Sequence, residues 1–129
     1  MSLDSLSKSA LDAREHAHAP FSKFRVGAAL EDSSGRVHTG CNVENATYGL
    51  TLCAERVAVF KAISEGARKF QRIAVAADTD RLTPPCGACR QILWEFCGDI
   101  EVILVNPRGA SETLRMRDLF PRPFDDSFL

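Results

Sequence analysis

Three cysteines and one glutamate carry the chemistry open to this chain. Cys53-Ala54-Glu55-Arg56 is followed, in the second half, by Pro85-Cys86-Gly87-Ala88-Cys89-Arg90. Together they supply three thiolates, a carboxylate beside the first, and no obvious fourth ligand. Three protein ligands and an open position are the layout of a catalytic zinc site, because the open position takes water. A structural zinc would close its tetrahedron with a fourth protein ligand. Glu55 stands beside the open position as a proton carrier, so the motifs predict metal-assisted hydrolysis.

The spacing sets a geometric expectation. Cys86 and Cys89 are three apart at a helix start, so both sulfurs can approach one metal at about 2.3 Å. Cys53 and Glu55 are two apart, which mid-helix would turn them to opposite sides. In a first turn the objection weakens, since a site beyond the helix end is reached from several faces. Both helices should therefore aim their N-termini at the metal. Three thiolates leave the centre negatively charged and its water less acidic. Helix N-termini, each with roughly half a positive charge, offset this. Arg56 and Arg90 follow ligand cysteines and are placed to hydrogen-bond the thiolates.

Other readings stand beside this one. Cys86-Gly87-Ala88-Cys89 opening a helix is also the pattern of a redox disulfide, although such a motif normally follows the first strand of its domain. A structural zinc remains open if Cys41 adds a fourth ligand. Cys41 and Cys97 read otherwise as core thiols, and His16, His18 and His38 as surface residues. Phe21, Phe24 and Tyr48 sit in polar loops, where aromatics either pack or face a ligand.

Elements must hold these residues in place. Leu6, Ala10, Ala13 and Ala17 repeat at helical spacing over Ser5 to Ala17, and Pro20 forces an end. Val26–Glu31 and Val37–Val43 read as strands joined by the Asp32-Ser33-Ser34-Gly35 turn. A helix should begin at Thr51 or Leu52 and stop near Gly66, and another should run from Gly87 to about Phe96. Ile73–Ala77 and Glu101–Val105 are buried-type strands, with a weak strand near Glu112–Leu114 and a helical turn at Asp118–Phe120. This order predicts an α/β fold: a three-layer α/β/α sandwich around a mixed, roughly five-stranded sheet.

Composition narrows the partners. The 129 residues fit one domain, 1–129, and the formal charge of −1 comes without a basic stripe. No nucleic-acid partner is expected. The first residues lack a continuous apolar run, and no stretch approaches a membrane span, so neither a signal peptide nor a membrane partner is expected. Five cysteines, an odd number, point to a reducing, cytoplasmic location.

From His18 to Phe124 the chain resembles the small homotetrameric cytidine deaminases of pyrimidine salvage. The resemblance rests on His18-Ala19-Pro20-Phe21-Ser22-Lys23-Phe24-Arg25-Val26-Gly27-Ala28-Ala29-Leu30, Thr39-Gly40-Cys41-Asn42-Val43-Glu44-Asn45-Ala46, Tyr48-Gly49-Leu50-Thr51, and the two cysteine motifs with Gln91. The cysteine motifs match the zinc-deaminase signature, a match of pattern rather than a derivation. That signature is shared by deaminases of free bases, nucleosides and nucleic acids, whereas Asn42-Val43-Glu44-Asn45 is more specific to nucleoside enzymes. A deaminase acting on a different nucleoside, such as an antibiotic, is the nearest rival.

The resemblance implies hydrolytic deamination of cytidine and deoxycytidine to uridine and deoxyuridine, with release of ammonia. It assigns one zinc per subunit to Cys53, Cys86 and Cys89, and proton transfer to Glu55. Asn42 and Glu44 would bind the ribose hydroxyl, Phe24 would pack on the pyrimidine, and Ala54 and the segment before Cys86 would read the base edge. The expected assembly is a homotetramer with shared active sites, to which Ala46, Tyr48, Phe124 and Phe128 would contribute across subunits. Position 84 departs from the family, with Pro where Ser or Thr is common: its carbonyl remains as an acceptor for the amine, but hydroxyl and N–H are lost. The tail from Pro121 to Phe128 matches only loosely.

Overall fold

Helix α1 (Ser5–Arg14) begins where Asp4 caps it, its carboxylate accepting from the Ser7 amide at 2.8 Å. The computed structural model describes residues 3–129; Met1 and Ser2 of the N-terminal segment read above lie outside them. The helix stops at Arg14, before the Ala17 that the alanine spacing predicts. The reason is tertiary. The His18 amide donates to the Asn42 carbonyl at 2.9 Å and the Glu44 amide to the His18 carbonyl at 2.8 Å, drawing the chain into an extended bridge.

Strands β1 (Val26–Asp32), β2 (Val37–Cys41), β3 (Phe70–Ala77), β4 (Glu101–Val105) and β5 (Ser111–Arg115) form one sheet in the order β2-β1-β3-β4-β5. The β1–β2 hairpin is antiparallel, β1 also pairs antiparallel with β3, and β3–β4 is the parallel pair. β4 and β5 close the sheet antiparallel. It is the mixed, five-stranded sheet that the element order implies.

Side-chain alternation divides the core between two faces. On one, α1 buries Leu6 and Ala10 against Ala29, Ala74, Ala76 and Ile103. On the other, α2 (Ala54–Ser64) and α3 (Gly87–Cys97) bury Ala58, Val59, Ala62 and Leu93 against Leu30, Ile73, Val75 and Val102. Small residues let the layers approach. A Cβ on Gly27 would lie 2.1 Å from the Ala10 carbonyl, so α1 rests directly on the β1 backbone.

Connectivity then places the site. The β2–α2–β3 connection crosses over β1, and β3–α3–β4 joins neighbouring parallel strands. Both helices thus start near the carboxyl ends of the strands preceding them, where open α/β sheets form their ligand crevices. Helix α4 (Met116–Leu119) and a 3₁₀ turn, Asp126–Phe128, finish the chain. No helix among the described residues is long and apolar enough to cross a membrane.

Candidate metal centre and substrate cavity

Cys53 is the N-cap of α2, Cys86 the N-cap of α3, and Cys89 lies in the first turn of α3. Both helix N-termini therefore face the cysteine cluster. Neither cap sulfur accepts a capping hydrogen bond, so neither is tied to the backbone of its own helix. All three Sγ atoms lie within 4.8 Å of one another, the only such group of three among the described His, Cys, Asp and Glu residues. Tetrahedral zinc with Zn–S bonds of about 2.3 Å holds its sulfurs about 3.8 Å apart, so the donor set fits zinc in type, number and spacing.

Electrostatics agree with that fit. In the metal-free chain a hydrogen bond from Cys89 leads in lowering the Cys53 thiol to about 5, and the Arg56 guanidinium, 3.3 Å from its sulfur, adds to the effect. The same hydrogen bond, with burial, raises Cys89. Thiols crowded in this way gain from a cation that lets all three ionise.

Glu55, in the first turn of α2, is only 5 % exposed. Burial above all, with the Cys53 charge adding, raises its carboxyl to about 7. A carboxyl so tuned exchanges protons near neutral pH.

The two arginines part company. Arg56 donates to Cys53 as its position suggests. Arg90 does not reach a sulfur: its donors go to the Pro85 carbonyl at 2.8 Å and the Leu119 carbonyl at 2.7 Å. The expected thiolate contact is thus replaced by a brace between the turn carrying Cys86 and α4. The free carbonyls there are the nearer demand.

A cavity of about 260 Å³ opens beside the cysteines. Phe24, Asn42, Glu44, Ala54, Glu55 and Pro84 line it together with Cys53 and Cys86. The buried Asn42 carboxamide is largely committed to the backbone, accepting from Val26 N–H at 2.9 Å and donating to the Phe24 carbonyl at 2.7 Å. It fixes the loop that carries Phe24 and keeps one Nδ2 hydrogen for a ligand. Ser22, Thr51 and Thr83 also line the cavity and had no role in the sequence reading. Ser22 and Thr51 carried a signal, since they lie inside the matching His18–Leu30 and Tyr48–Thr51 stretches; Thr83 carried none.

The remaining candidates lie elsewhere. Tyr48 is exposed, edge-on to Phe21 with ring centroids 6.2 Å apart, and Ala46 is exposed near it. Phe124 and Phe128 stack at 5.7 Å, and the Phe124 carbonyl accepts from Gln91 on α3. None of these four residues lines the cavity of its own chain. Cys41 stands outside the sulfur cluster, beside His16 and Lys61, which leaves the structural-zinc reading without its fourth ligand. Burial pushes the Cys97 thiol up to about 12, as for a core thiol.

Comparison with known proteins gives a consistent result. Residues 1–105 match the family model described as the cytidine and deoxycytidylate deaminase zinc-binding region. A cytidine deaminase of Halalkalibacterium halodurans is 52% identical over 120 residues, covering 92% of this chain and 91% of that protein. One from Sporosarcina psychrophila is 47% identical over 125 residues, covering 96% and 92%. The crystal structure of cytidine deaminase from Burkholderia pseudomallei superposes with a TM-score of 0.90 at 47% identity, covering 96% of this chain and all of the other.

Proposed function

The chain belongs to the cytidine and deoxycytidylate deaminase family, and we propose that it hydrolyses the exocyclic amine of cytidine and deoxycytidine in pyrimidine salvage. The observation that carries this reading is the meeting of the Cys53, Cys86 and Cys89 sulfurs with Glu55 at one end of a cavity whose walls include Asn42 and Glu44. Residues 1–129 act as one catalytic domain.

Cys53, Cys86 and Cys89 would hold one zinc per subunit, and bound zinc supplies a Lewis acid that activates water near neutral pH. Arg56 holds the Cys53 sulfur as thiolate. Glu55 accepts a proton from the attacking water and delivers it to the ring nitrogen. A second proton, from the oxygen now bonded to the ring carbon, passes through the same carboxylate to the departing amine. Water and cytidine are thereby converted to uridine and ammonia, and Glu55 ends each cycle as it began. Its buried surroundings keep competing protons away.

Phe24 packs on the pyrimidine, while the peptide groups of Ala54 and of the turn before Cys86 read the base edge. Pro84 offers a carbonyl to the amine and no N–H. Asn42 and Glu44 take the sugar hydroxyls. The enzyme works in the cytoplasm as a homotetramer, with Ala46, Tyr48, Phe124 and Phe128 reaching neighbouring sites. Support for this comes from the exposure of large apolar side chains among them, 77% for Tyr48 and 69% for Phe128.

The test is zinc stoichiometry measured alongside deamination of cytidine, deoxycytidine and free cytosine. One zinc per subunit, turnover of both nucleosides and little action on the free base are expected. A zinc-loaded protein that leaves both nucleosides untouched overturns the reading.

A further inference from the structure

The Glu44 carboxylate is gripped by the loop that precedes β1. Its Oε1 accepts from the Phe21 amide at 2.9 Å and from the Ser22 amide at 3.1 Å. Its Oε2 accepts from the Ser22 hydroxyl in a short hydrogen bond. A carboxylate offers about four lone-pair sites, so three donors leave one, on Oε2. Ser22 and Glu44 both line the cavity, so that site can meet a ligand donor there. An ionised carboxylate accepts only, and the donors around Glu44 hold it below the usual carboxylate range, the Ser22 hydroxyl foremost.

Ser22 also faces the other way. Its Oγ accepts from the Phe24 amide at 3.0 Å, so one hydroxyl ties the carboxylate to the residue whose ring lines the cavity. The residue between them, Lys23, has φ 61°, the only positive φ of a non-glycine among the described residues. A lysine in the left-handed region costs about 1 kcal/mol or more and persists only where its surroundings enforce it. The hydrogen bonds that tie Ser22 to Glu44 and to the Phe24 amide, with that of the Lys23 amide to the Ala19 carbonyl at 3.1 Å, supply that enforcement.

We propose that Ser22 is a positioning residue for substrate selection, presetting Glu44 Oε2 to accept one secondary sugar hydroxyl and coupling that contact to Phe24. The proposal rests on the reading above that Glu44 faces the sugar. The hydroxyl enters a site already charged, oriented and three-quarters filled, so no reorganisation accompanies binding. Selection therefore falls on substrates with a donor at that position.

Deoxycytidine and dideoxycytidine differ by that one hydroxyl. In Ser22→Ala the KM for deoxycytidine is expected to rise about tenfold, the scale of one charge-assisted hydrogen bond, with kcat held within about twofold. The KM for dideoxycytidine, which shares only the Phe24 part of the loss, should rise less, and Ser22→Thr should restore the preference. A full deoxycytidine preference in Ser22→Ala, or equal losses on both substrates, overturns the role given to Ser22. Equal kcat/KM of the unaltered enzyme for the two nucleosides instead overturns the sugar reading of Glu44, whatever Ser22 does.

Discussion

Replacing Glu55 with glutamine should destroy turnover and yet stabilise the zinc-free protein, by an amount that grows with pH. Glu55 is almost fully buried, and its carboxyl is raised from 4.5 to about 7, chiefly by burial. Between those values the folded chain holds a proton that the unfolded chain has released. Stability must therefore fall as pH rises through this window, with the full penalty reached above about pH 7. At about 1.4 kcal/mol per pH unit, the climb costs on the order of 3 kcal/mol. Glutamine matches the protonated acid in size and cannot ionise, so its variant escapes the penalty. Denaturant unfolding of both proteins, reduced, zinc-stripped and at one concentration, measures it directly. The two stabilities should converge near pH 4.5 and separate by roughly 3 kcal/mol near pH 8. Groups that do not feel Glu55, and any subunit contacts, are common to both and cancel in the difference; the Cys53 charge, which itself helps raise the Glu55 carboxyl, is part of the measured penalty. Parallel pH profiles would refute the buried-proton account of Glu55. Turnover, by contrast, should fall by at least the ~10²–10⁴-fold expected of a general acid–base group, with zinc retained.

Two further substitutions probe how the centre is held. Arg56→Gln removes the donor 3.3 Å from Cys53, so the Cys53 thiol should titrate above its present value of about 5 in the zinc-free protein, and zinc affinity should drop about 10–100-fold. Thiolate ultraviolet absorbance against pH reads the first effect, and an unmoved titration would reduce Arg56 to scaffold. Gly40→Ala places a Cβ 2.5 Å from the Ala54 carbonyl and 2.6 Å from the Ala58 amide, both rigid backbone at the start of α2. That overpacking should cost about 1–3 kcal/mol and pull Cys53 off register, weakening zinc in a competition assay; unchanged affinity would show that the first turn of α2 can yield.

The elements around the metal centre are legible because each is a local pattern. Pro85 followed by Cys86-Gly87 marks a helix start, and the apolar run Ile73–Ala77 has the composition of a strand covered on both faces. Boundaries that depend on distant partners are less so. α1 ends early because His18 pairs with Asn42 and Glu44, and α2 begins at Ala54, after the Thr51 or Leu52 that its pattern suggests, because Leu52 exchanges backbone hydrogen bonds with Val43. Arg90 illustrates the same limit for side chains. Its neighbour Cys89 suggests a sulfur partner, but the Leu119 carbonyl, far along the chain, claims its donor.

Residue order alone was enough to assemble the three-thiolate, one-carboxylate inventory, the sandwich that carries it and the resemblance to nucleoside deaminases. Ligand identity and near-neighbour spacing are properties of short stretches, and short stretches are what a chain states openly. Folding had to settle which donor meets which acceptor: that Asn42 ties down the Phe24 loop, that Arg90 reaches the Leu119 carbonyl, and that Ser22 completes a cradle around Glu44. Those pairings join residues brought together by strand crossing and helix packing, and each donor bonds the acceptor that the finished fold puts nearest.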